Sequence, residues 1–88
     1  MKLVSGVMIR TIMGEAVAVT YGEAHARFNG MIKLNATAEF IARRLQEETD
    51  EASVVRALCE EFDVDADTAR ESVRKVVDSF ASAGLLEA

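Results

Sequence analysis

The pattern of apolar and polar positions changes period at Asn35, and the chain reads differently on either side of it. Upstream the signals are those of strands. "VMIRTIM", Val7 to Met13, is rich in β-branched and apolar residues, Gly14-Glu15 interrupts it, and "AVAVTY", Ala16 to Tyr21, alternates large and small apolar side chains. This predicts a hairpin. The polar segment "GEAHARFNG" holds two glycines and predicts a loop, and Met31 to Leu34 then forms a third short strand. Alternation puts Ile32 and Leu34 on one face of that strand and Met31 and Lys33 on the other.

Downstream the spacing is helical. Asn35 offers a side-chain oxygen to the first free amides of a helix, so the strand passes into a helix with no loop between. Ala38, Ile41, Ala42 and Leu45 form that helix's inner stripe, with Arg43, Arg44, Glu47 and Glu48 turned to water. A second helix begins near Asp50, with Val54, Val55, Leu58 and Phe62 as its stripe and Cys59 at the border. Asp65 caps a long third helix and Asp67 supplies first-turn negative charge. Its core positions are Ala69, Val73, Val76, Val77 and Phe80, Gly84 occupies the expected left-handed C-terminal cap, and Leu85 and Leu86 fold back onto the core.

Three short strands cannot bury an apolar face alone, so the helices must cover one side of the sheet. The predicted fold is α+β: a winged-helix-like domain over residues 1–88, with a small three-stranded antiparallel sheet followed by three helices. Such a sheet has open edges, and an open edge beside a helix is a template for an incoming strand.

Length and charge narrow the function. Eighty-eight residues make one core, which buries about 60–65% of the unfolded surface, so function sits on the outside of that core. Half the residues are apolar, a composition that argues against disorder. A net charge of −5 argues against nucleic-acid binding, which draws on clustered Lys and Arg. The apolar run Val7 to Met13 contains Arg10 and falls far short of the roughly 20 residues that span a membrane. Cys59 is the single cysteine, which leaves no internal disulfide and points to a reducing, cytoplasmic setting.

The candidate chemistry is thin. His25 lies in the predicted loop with no second ligand near it in sequence and reads as a surface residue. Cys59 beside an apolar stripe behaves as a small hydrophobe. The acidic runs Glu47 to Glu51 and Asp63 to Asp67 lack the calcium-loop pattern and read as helix boundaries. No phosphate loop, dinucleotide fingerprint or serine elbow is present. The expectation is a protein without catalysis, metal or cofactor. One flank of the third helix carries Arg70, Arg74 and Asp78 with Val77 and Ala81 beside them, either a plain solvated face or the wall of a groove.

Two passages, "GMIKLNATAEFIARRL" and "FDVDADTARESVRKVVDSFASAGLLEA", resemble the PqqD-like proteins, the peptide-recognition elements of ribosomal peptide maturation. Leu34, Asn35, Thr37, Ala38, Phe40 and Ile41 match the family's strand-to-helix passage. Asp63 to Asp67, Ala69 to Ala83, Gly84, Leu85 and Leu86 match its tail, and "ASVVRALCEEF" its second helix. Ala42 departs, standing where the family often has Trp. The resemblance implies a noncatalytic adaptor that takes the leader segment of a precursor peptide as an added strand and presents it to a modifying enzyme, often a radical-SAM protein, in the biosynthesis of the quinone cofactor PQQ or of another modified peptide. By that analogy Met31, Ile32 and Lys33 on the strand and Arg70, Arg74, Val77 and Ala81 on the helix contact the peptide, the two arginines suiting acidic leader residues. Two alternatives stand beside it. One is a winged-helix nucleic-acid binder, disfavoured because Arg70, Arg74 and Lys75 are offset by Asp67, Glu71 and Asp78. The other is a small dimerisation module that pairs with itself through the open edge.

Overall fold

The computed structural model describes residues 1–87. Its elements run β1 (Lys2–Leu3), β2 (Val7–Ile12), β3 (Glu15–Thr20), α1 (Glu23–Arg27), β4 (Met31–Leu34), α2 (Ala36–Arg44), α3 (Glu51–Glu61), α4 (Ala66–Ser82) and β5 (Leu86–Glu87).

The predicted hairpin forms around a two-residue turn. Met13 and Gly14 have φ of 54° and 81°, and with both central residues on the positive side the turn's twist matches that of the flanking strands. Ile12 then faces Glu15, and the pairing continues to Val7 opposite Thr20. β4 adds antiparallel to β3, with Leu34 opposite Ala16 and Met31 opposite Val19. The order β2-β3-β4 makes the predicted third strand an edge.

The helix boundaries are chemical. Asn35 Oδ1 accepts from the Ala38 amide at 2.8 Å, Asp50 from Ser53 at 2.7 Å and Asp65 from Thr68 at 2.7 Å. The amides of Ser53 and Thr68 hold the Asp50 and Asp65 carboxyls below the ordinary carboxylate value. At the end of α4, Gly84 has φ of 74°, the Leu85 amide donates to Phe80 at 3.0 Å and the Gly84 amide to Ala81 at 3.0 Å. Those two bonds satisfy carbonyls the helix leaves free and turn the chain so that Leu85 enters the core.

Ile41, Leu45, Val54, Leu58, Val73, Phe80 and Leu85 are the large, fully buried side chains, so each of the three long helices gives its predicted stripe to one core. Ala42 is fully buried as well, a core position filled by a small residue.

Two features depart from the sequence reading. Part of the predicted loop is the helix α1, which buries Ala24 and is spanned by a hydrogen bond from the Thr20 hydroxyl before it to the Phe28 carbonyl after it, at 2.7 Å. Five residues are too few to display a helical period. The second is a two-stranded antiparallel ribbon, β1 with β5, in which Leu3 pairs with Leu86. The Leu3 amide also donates to Leu45 at 2.7 Å and the Val4 amide to Leu85 at 2.8 Å, so this ribbon closes the core beneath α2 and α4.

Candidate functional site

Among the described residues β4 has a partner strand on one side only, and the ladder fixes which of its backbone groups are free. Hydrogen-bonded and non-bonded pairs alternate along an antiparallel pair. The Tyr21 amide donates to the Gly6 carbonyl at 2.8 Å, so the bonded pairs of β2 and β3 continue at Met8–Val19, Arg10–Val17 and Ile12–Glu15. The intervening residues Ala16 and Ala18 therefore turn their amides and carbonyls toward β4, where they face Leu34 and Ile32. What remains for the open edge is the N–H and C=O of Met31 and of Lys33.

This edge borders a cleft of ≈ 300 Å³ between the strand and α4. Ile32, Lys33, Leu34 and Asn35 form one wall, and Ser72, Lys75, Val76, Ser79 and Phe80 form the other. Thr37, Ala38 and Ile41 of α2 close the end between them. The fully buried Ile41 and Phe80 lie at its base, and the half-buried Ile32, Ala38 and Val76 extend that apolar floor. Hydroxyls and two ammonium groups stand at the rim. The Asn35 cap starts α2 directly after β4, so strand and helix meet at the cleft with no loop between them.

The structure brings Ile32 and Lys33 to the cleft and leaves Met31 at its strand edge with a side chain 55% exposed. It does not bring the strip from α4. Val77 is only 5% exposed and belongs to the core with Val73 and Phe80. Arg70 pairs with Asp67, and Arg74 reaches Glu51 of α3 at 2.8 Å and Asp78 at 3.6 Å, which places both arginines on the side away from β4. Ala81 is exposed but is not part of the cleft lining. Each residue turns a helix by about 100°, so a strip drawn through positions 70, 74, 77 and 81 points away from one through 72, 76 and 79. Ser72, Lys75, Val76 and Ser79 were thus missed as wall residues. Val76 stands in the predicted core stripe, and the polar residues between the core positions fall on both flanks of the helix, so spacing alone does not choose between them.

His25 is exposed on α1, its Nδ1 3.3 Å from the Thr20 hydroxyl. Cys59 is half-buried beside the core. Within the acidic runs Asp50 and Asp65 cap helices, while Glu51 and Asp67 pair with arginines. Among the described residues no group of three potential metal ligands comes together, and no helix is long and apolar enough to cross a membrane.

The family model for coenzyme PQQ synthesis protein D (PqqD) matches residues 15–86, from the start of β3 into β5. A solved structure, "TbiB1 in Complex with the TbiA(beta) Leader Peptide", resembles the chain with a TM-score of 0.75 and 26% sequence identity, over 99% of this chain and 95% of that one. No curated protein matches.

Proposed function

The chain belongs to the PqqD family, and from that footing we propose that it is a noncatalytic adaptor which binds the leader segment of a ribosomally made precursor peptide. The peptide lies in the cleft as a strand added to β4. The observation that carries this reading is the free backbone of Met31 and Lys33 beside an apolar floor. Main-chain bonds to the edge give affinity with little sequence demand, and side chains entering the cleft give choice. The structural neighbour was solved with a leader peptide, which supports the same use of this chain. The peptide contacts are the edge of Met31 and Lys33, the Ile32 side chain, and the wall of Ser72, Lys75, Val76 and Ser79.

In this role the adaptor hands the core segment to a modifying enzyme of the radical-SAM kind in the cytoplasm, for PQQ or another modified peptide. The chain itself then contributes no chemical step and needs no cofactor. A single domain suffices for that work.

Proline on the open edge tests the reading. Met31→Pro removes an outward N–H that β3 does not use, at the first position of an edge strand, where proline is tolerated. Binding of a synthetic leader segment, taken from the short reading frame nearest this chain's own, is followed by amide NMR shifts. The wild-type chain is expected to show saturable shifts over Met31–Leu34 and Ser72–Phe80 at micromolar peptide, a free energy of roughly −8 kcal/mol. Met31→Pro should keep its fold and bind at least about tenfold more weakly, a loss of about 1.4 kcal/mol. Binding that survives in a folded Met31→Pro, or shifts confined to other surfaces, defeats strand addition at β4.

A further inference from the structure

We infer that the cleft selects a peptide in which an acidic residue sits between two apolar ones, with Lys33 and Lys75 as the selecting charges. This rests on the peptide-binding reading above and specifies its ligand. The chain carries fifteen Asp and Glu and a net charge of −5, yet none of the residues lining the cleft is acidic and two are lysines. An anionic protein therefore presents a locally cationic groove.

The state of its cations sharpens the point. Arg70 and Arg74 are already paired with Asp67, Glu51 and Asp78. Lys75 makes no ion pair among the described residues, although Glu71 and Asp78 stand about one turn away along α4. Lys33 has only a loose partner, Glu15 at 4.0 Å, with both side chains largely in water. These two ammonium groups are the cations of the cleft lining, and neither is held by a close partner among the described residues.

Strand geometry sets the spacing. An added strand alternates its side chains between the faces of the sheet. Residues on the core face enter the cleft toward Ile41, Val76 and Phe80, which are apolar. The residue between them emerges on the face that carries the Lys33 side chain, directly opposite it in register, and like charges there would be unfavourable while an acid is favoured. Lys75, on the facing helix wall, adds to the positive potential over the whole groove.

The test is a random dodecapeptide library displayed on phage and selected on the intact chain, alongside the charge-reversed variant Lys33→Glu/Lys75→Glu. Both lysines are exposed, so the variant keeps the core. The expected result is enrichment of apolar–acidic–apolar triplets on the wild-type chain and a switch to Lys or Arg at the central place on the variant. A synthesised winner should bind about tenfold more weakly when its acid becomes the corresponding amide, a change that leaves the protein untouched. Enrichment of apolar alternation without an acid, unchanged between the two proteins, overturns this inference and leaves strand addition standing. Winners that do not shift the Met31–Leu34 amides, or no winners at all, overturn the peptide-binding reading and this inference with it.

Discussion

The two flanks of α4 carry comparable chemistry put to different ends. Toward α3, Arg70 and Arg74 close on Asp67, Glu51 and Asp78, and the helix is tied to its neighbour. Toward β4, Ser72, Lys75, Val76 and Ser79 line open space above Phe80. The charged groups on the first flank answer one another, so they have little left for a partner molecule. The second flank has short hydroxyls and an ammonium group with no ion pair among the described residues, beside a strand edge that none of them pairs with. An exposed cation signals a binding surface only when its local partners do not already use it.

The largest test of this contrast is Phe80→Ala. Phe80 supports both flanks, since it is fully buried, forms the base of the cleft and supplies the carbonyl that receives the Leu85 amide. Truncation should cost about 3–5 kcal/mol, a large share of the stability of a small domain, read from the shift in urea midpoint at constant slope. A loss below about 1.5 kcal/mol would mean that the cleft floor is not part of the core.

Asn35→Ala acts on the open flank alone. Loss of the cap should cost about 1 kcal/mol and lower the melting temperature by roughly 4–8 °C, with Asn35→Asp restoring most of it. Peptide affinity should fall as well, because the junction that fixes β4 against α2 loosens. Unchanged affinity in the destabilised variant would show that the cleft is assembled without this cap.

The smallest effect belongs to the closed flank. Arg74→Ala removes solvent-exposed pairs, the kind worth about 0.2–1 kcal/mol, and should leave peptide affinity within about twofold of wild type. A tenfold loss of affinity in a titration would reassign Arg74 to the binding surface and undo the contrast between the flanks.

Much of the fold was legible because its signals are local. Asn35, Asp50 and Asp65 mark helix starts through a side-chain oxygen three residues from the amide it accepts. Gly84 marks the end of α4 through a backbone conformation that glycine adopts easily. The α1 helix was hidden by its shortness, and the β1–β5 ribbon because it joins residues more than eighty positions apart. Of the residues that the family analogy proposed, Ile32 and Lys33 line the cleft and Met31 lies at the strand edge beside it, while Arg70, Arg74, Val77 and Ala81 are outside its lining.

What the sequence by itself determined is the three-stranded sheet, the three long helices with the stripes they bury, and the family likeness carried by the strand-to-helix passage and the tail. What only the tertiary structure decided is the rotation of α4 against the sheet. That rotation sends Val77 into the core, Arg70 and Arg74 toward α3, and Lys75 and Val76 to the cleft. The physical reason is that a helix's apolar stripe is wider than one residue, so its neighbours can pack several adjacent rotations of about 100° per residue, and only the packed core selects among them.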